Sequence, residues 1–266
     1  MSVLNKILGT KRDEITVLRS PQTRDLLRKS ALDAEPPRDF LGALSASDSH
    51  LRVISEFKRK SPSKGELALN LDPRTMAVSY AQGGAAAMSV LTDQQYFGGS
   101  VADLQNARAA MSIPVLRKDF IIDEVQIYES RAIGADAILL ILAAIAEDSL
   151  LMELHSLALS LGMSVLVETH TADEVERAVR LGLGVIGVNA RNLADFAEDR
   201  EGVAALASRI PSGVVAVAES AIRSLEDASK MAEAGFNAVL VGEALVRHPD
   251  PSSLVAAMSE VSVSPR

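Results

Sequence analysis

Six polar residues close runs that are otherwise apolar: Glu56 and Lys58 in RVISEFK, Lys118 in VLRK, Glu168 in VLVE, Asn189 in VIGVN and Glu219 in VAVAE. If each run is a strand, its side chains alternate between faces. Ile54, Glu56 and Lys58 then share one face, and by the same parity Leu116 precedes Lys118, Leu166 precedes Glu168, Gly187 precedes Asn189 and Val217 precedes Glu219. Charge turned inward costs stability that an apolar residue would not. For the Glu56–Lys58 pair alone, a structural ion pair is the plainer reading, and for any single strand end a solvated rim is as good as a catalytic role. Two lysines, three carboxylates and an amide converging on one mouth favour catalysis.

Two more junctions carry an anion-binding signal. Ala218-Glu219-Ser220-Ala221 leads towards a helix at Arg223, and Val241-Gly242-Glu243 leads towards one at Ala244. Backbone N–H groups at such strand-to-helix turns hold phosphate in many barrels, helped by the helix dipole. His50, His155, His170 and His248 are scattered; only Glu168 and His170 share a parity, and two ligands are too few for a metal site, so no metal is expected. There is no GxGxxG or P-loop pattern and no Gly-x-Ser-x-Gly elbow, so no nucleotide cofactor is expected.

The elements that must position these groups follow from the apolar pattern. Strands are expected near 52–58, 86–91, 114–118, 137–142, 163–168, 185–189, 214–219 and 237–242. Amphipathic segments separate them, among them 72–82, 123–133, 147–161, 171–181 and 223–234, many closed by glycine at 83, 134, 162, 182 or 235. Eight βα units predict an α/β fold, a (β/α)8 TIM barrel over 51–266, with a doubly wound open sheet as the alternative. Residues 1–50 read as an N-terminal helical extension, broken at Ser20-Pro21 and Pro36-Pro37, that packs over one end of the barrel or serves as a lid. The basic loop from Arg59 to Leu71 is long for a βα connection and is either a mobile lid or a solvated loop.

Composition narrows the function classes. The chain of 266 residues has 48% hydrophobic residues and a formal charge of -8, enough for a full core and contrary to a general nucleic-acid or membrane surface. It has no Cys, which removes disulfides, thiolate metal sites and a Cys nucleophile and fits a cytoplasmic protein. Charges at Lys6, Lys11 and Arg12 come too early for a signal peptide, and the longest apolar run, Ala137–Ala146, is ten residues, too short for a bilayer. The sequence settles no oligomeric state.

Longer strings then carry a resemblance: ISEFKRKSPSKG (54–65), SVLTDQQYFGGS (89–100), VLRKDFIIDEVQI (115–127), LVETH (166–170), IGVNARNL (186–193), AESAI (218–222) and VLVGEAL (239–245). Together they resemble the indole-3-glycerol phosphate synthases of tryptophan biosynthesis, over nearly the whole chain. The resemblance implies cofactor-free closure of 1-(2-carboxyphenylamino)-1-deoxyribulose 5-phosphate, with loss of carbon dioxide and water. It places the general acid at Lys118, its pKa expected below that of a free amine, and the base at Glu168. Glu56, Lys58, Asn189 and Glu219 complete the catalytic set. Arg191 positions the carboxyanilino part, and Ser61, Ser220, Ala221, Gly242 and Glu243 surround the phosphate. Two departures are Ala221, where the family usually has glycine, and Ala190, where it commonly has asparagine. Rival readings are a lysine-Schiff-base aldolase using Lys58 or Lys118 and a non-catalytic sugar-phosphate-binding barrel. The phosphoribosylanthranilate isomerase family is disfavoured by the missing Cys.

Overall fold

The computed structural model describes residues 2–45, 49–62, 65–67, 70–191 and 197–266. Its strands are β1 (Arg52–Phe57), β2 (Ala87–Leu91), β3 (Val115–Lys118), β4 (Ala137–Ile141), β5 (Ser164–Thr169), β6 (Val185–Asn189), β7 (Val215–Glu219) and β8 (Ala238–Val241). Each lies within one residue of its expected bounds. All neighbours are parallel, and β8 returns to β1, with Ser55 opposite Val241, so the sheet is a closed barrel and the open-sheet alternative falls.

The alternation along each strand produces two separate cores. Ile54, Leu116, Leu139, Leu166, Val217 and Leu240 point inward and fill the barrel. Val53, Phe57, Val90, Ile138, Val167 and Val239 point outward, under the ring of helices.

Most of the helices begin on a capping side chain, as α4 (Pro73–Gln82) does on Asp72, whose carboxylate accepts from Thr75 N at 2.9 Å. The chain leaves α4 through Gly84, at φ 84°, one residue beyond the expected Gly83. The other helices that hold the site are α5 (Val101–Ala110), α6 (Glu124–Ala132), α7 (Asp148–Ser160), α8 (Ala172–Arg180), α9 (Arg200–Leu206), α10 (Leu225–Glu233), α11 (Glu243–Arg247) and α12 (Pro251–Ser259).

The N-terminal helices α1 (Val3–Leu18), α2 (Pro21–Asp33) and α3 (Phe40–Ser45) reach both ends of the barrel, where one end was expected. On α1, Lys11 meets Asp93 and Asp119, just past the C-terminal ends of β2 and β3. α2 runs down the outside against α6. α3 then sets Phe40 and Leu44, at 0% and 1% exposure, among the residues that open the strands, Ala87, Val185 and Val215, and closes the far end. Ser20-Pro21 is therefore a helix start, with Ser20 as cap and Pro21 in the first turn.

In the Arg59–Leu71 loop, Lys60–Ser61 pairs antiparallel with Gly65–Glu66, and Arg59 is bound to Asp103 of α5. Lys64, within the segment read as either a lid or a solvated loop, lies outside the described residues. No described helix is long and apolar enough to cross a membrane.

Candidate active site

Lys118 is the last residue of β3, and parity turns it into the mouth. Its ammonium donates to Glu168 Oε2 at 3.2 Å and also to Glu219. The two carboxylates, one residue before the end of β5 and at the end of β7, are 2% and 1% exposed. Between them β6 carries Gly187, where a Cβ would lie 2.0 Å from Glu219 Oε1, so only glycine leaves room for that carboxyl. Asn189, at the end of β6, hydrogen-bonds to Glu168 and accepts from Arg191 N at 3.0 Å. Across the mouth Glu56 and Lys58 form the ion pair that their spacing allowed, and both face the cleft. Gly242 stands beside them because a Cβ there would come within 2.5 Å of Glu56 Oε1.

Burial and neighbouring charge compete at each of these groups. Burial pushes the Glu219 carboxyl up; Lys118 pulls it down, but Glu168 pushes it up again, and it settles at about 7. Glu168 is also raised by burial, but Lys118, His170 and the hydrogen bonds from Lys118 and Asn189 hold it below the usual carboxylate range. Burial lowers Lys118, yet Glu219, Glu168 and Glu56 together raise it above an ordinary lysine. This reverses the expected depression, because the fold surrounds the ammonium with three carboxyl groups. One ammonium cannot neutralise both of its close carboxylates, so near neutral pH the cluster holds Lys118 charged, Glu168 ionised and Glu219 partly protonated. Glu56, raised by burial, is brought below its usual range by Lys58 and Lys118.

The mouth opens into a cleft lined on all sides by the strand ends and the loops that follow them. Leu139, Leu240 and Ile141 floor it, and Phe97 and Phe120, with ring centroids 6.0 Å apart, form an aromatic wall. Every expected site residue lines this cleft except Glu219, which lies beneath Lys118. Ser61, Ser220, Ala221, Gly242 and Glu243 also line it. Ser220 and Ala221 have φ of 65° and 57°, so the departure at Ala221 falls where a Cβ is strained. The helix after this turn starts at Leu225, capped by Ser224, two residues later than expected. Glu243 turns its carboxylate to Arg247, 3.3 Å away.

Several participants had no strand-end signal. Glu198 joins Arg191, at 2.6 Å, to Arg223 on the rim. Lys11, 2% exposed, lies 2.9 Å from Asp93 and 3.0 Å from Asp119, and Asp119 also takes a hydrogen bond from Arg117 at 3.2 Å. His170 Nε2 is 3.3 Å from Glu168 Oε1, a contact between the two residues weighed as ligands. Among the described residues no three His, Cys, Asp or Glu side chains are grouped to hold a metal ion.

The family model described as indole-3-glycerol phosphate synthase matches residues 4–258. Proteins named indole-3-glycerol phosphate synthase from Paenarthrobacter aurescens and an Arthrobacter species are similar to the chain, at 49% and 48% identity. The first match covers 94% of this chain and 93% of its relative, the second 96% and 95%. Among solved structures, a 3-hexulose-6-phosphate synthase shares the fold, with a TM-score of 0.64 at 14% identity over 80% of this chain and all of the other.

Proposed function

The chain belongs to the indole-3-glycerol phosphate synthase family, and on that premise we propose that its cleft converts 1-(2-carboxyphenylamino)-1-deoxyribulose 5-phosphate to indole-3-glycerol phosphate, as a cofactor-free carboxy-lyase. The observation that carries this reading is the Lys118 ammonium held between Glu168 and Glu219 in a cleft that is also lined by a turn suited to phosphate.

The residues divide the work by charge. Ser61, Ser220, Ala221, Gly242 and Glu243 take the phosphate, largely on backbone N–H groups. Lys58 and Arg191 meet the substrate carboxylate, Asn189 orients it, and Phe97 and Phe120 flank the aromatic ring. The ring carbon bearing the carboxylate attacks the ketone carbon, and the ketone oxygen takes a proton from Lys118 as the C–C bond forms. An alkoxide is far more basic than a carboxylate, so it draws the proton that Glu168 and Glu219 leave on the amine. Loss of carbon dioxide returns the electron pair to the ring. The hydroxyl then leaves as water with a proton from an ammonium of the mouth, where Lys118 and Lys58 both stand, while Glu168 removes the proton that completes the indole. Glu219, poised at about 7, resupplies Lys118. Glu56 holds Lys58 in place.

A Schiff base needs a neutral amine, and Lys118 is kept charged by its carboxyl neighbours. The same reading makes residues 51–266 the catalytic barrel and 1–50 its brace. It also makes the partner a small phosphorylated molecule, not a nucleic acid or membrane, and places the chain in the cytoplasm. Mixing the metal-free chain with this substrate in the presence of chelator and following indole fluorescence tests it. Product is expected; well-folded protein that forms none contradicts the assignment.

A further inference from the structure

Glu168 is 2% exposed, and with substrate filling the cleft, the proton it accepts cannot return to water through the mouth. His170 lies behind it. Its Nε2 is 3.3 Å from Glu168 Oε1 and its Nδ1 is 3.5 Å from Glu174 Oε2, with the side chain 10% exposed. Both ring nitrogens are buried and neither is aligned for a hydrogen bond at rest, so a small turn of the ring is needed to bring each onto its carboxylate. Glu174 is fixed in turn, because its Oε2 accepts from His170 N at 2.6 Å and Thr171 caps the helix that carries it. His170 and Glu174 line a second cleft, on the other side of the β5 and β6 ends, which Glu168 does not reach; Glu168 lines the substrate cleft, which His170 does not reach. The imidazole thus stands between Glu168 and the second cleft, while Asn189 and Glu198 border both clefts.

We propose that His170 is a positioning residue that passes the proton from Glu168 to Glu174 and so to water in the second cleft, behind the bound substrate. The inference rests on Glu168 being the base. The Glu168 O–H bond breaks as the Nε2–H bond forms; the Nδ1–H bond breaks as Glu174 is protonated, and Glu174 releases that proton to water. Rotation of the ring restores the starting tautomer, since both ring nitrogens are buried from water. The charged groups facing the ring are Glu168 from β5, Glu174 from α8 and Glu219 from β7, all acidic, so an imidazolium formed in transit is stabilised.

The test compares turnover of the parent, H170Q, E174Q and E168Q near neutral pH at rising concentrations of imidazole buffer, with folding checked by circular dichroism. In dilute buffer kcat of H170Q should fall about tenfold with KM unchanged, less than the loss of a group that itself transfers the reacting proton. Imidazole should restore it, and E174Q should share that buffer dependence. H170Q turnover that does not respond to imidazole, whether parental or reduced, overturns the relay, and if H170Q misfolds the buffer dependence of E174Q decides alone. Parental turnover in E168Q would instead overturn the assignment of the base.

Discussion

Glu219→Gln should stabilise the protein, and increasingly so as pH rises. The native carboxyl is raised from the ordinary 4.5 to about 7 by burial and by Glu168, against the pull of Lys118. Between those values the unfolded chain has released this proton while the folded chain still holds it, so this group makes stability fall as pH rises. Its contribution is intact below 4.5 and lost on passing the folded value of about 7. At about 1.4 kcal/mol for each tenfold, ionising Glu219 in place costs about 3 kcal/mol. Gln has the same shape, has nothing to ionise, and leaves Lys118 paired with Glu168. Urea unfolding of parent and variant at several pH values should show a stability difference that grows by about 3 kcal/mol from mildly acidic to mildly alkaline solution, while turnover drops because Lys118 loses its proton source. A difference that stays flat or shrinks with pH would refute the claim that Glu219 keeps its proton beneath Lys118.

Lys11→Met removes the only cation within 3.0 Å of Asp93 among the described residues and leaves buried carboxylates behind, so urea unfolding should show a loss of about 3–5 kcal/mol. Ala221→Gly removes a Cβ from a residue at φ 57°; melting should show a gain of about 1 kcal/mol, with a lower KM for the phosphorylated substrate, and a loss of stability would contradict strain there. Gly187→Ala puts a methyl 2.0 Å from Glu219 Oε1 and 3.2 Å from Leu166 Cδ1, so kcat should fall about a hundredfold as the carboxyl is displaced from Lys118 while circular dichroism stays parental.

The barrel and most of its mouth were legible because a half-buried strand has period two. That parity placed Glu56, Lys58, Lys118, Glu168, Asn189 and Glu219 inward before any contact was known. What could not be read was how far each group lies from the others. The pKa of Lys118 was expected below that of a free amine; the closure of the barrel sets three carboxyl groups around it, and the direction reverses. Gly187 looked like one more apolar strand position, yet its missing Cβ is the space that Glu219 occupies. Lys11 left one trace, a charge on the otherwise apolar stripe Leu4, Ile7, Leu8, Ile15, but its partners at Asp93 and Asp119 are too distant in sequence to be paired with it. Phe40 and Leu44 sit on a helix of six residues, too short for a 3.6-residue period to show, so the closure of the far end of the barrel was missed.

The most direct test of the central claim is single-turnover formation of indole-3-glycerol phosphate by the parent and by Lys118→Met, with both confirmed folded. The parent should form product with chelator present. Lys118→Met should bind the substrate yet form product at least about 100-fold more slowly, the loss expected of a general acid. Near-parental product formation by Lys118→Met would contradict the account, because the cluster built around that ammonium would not be where the proton comes from.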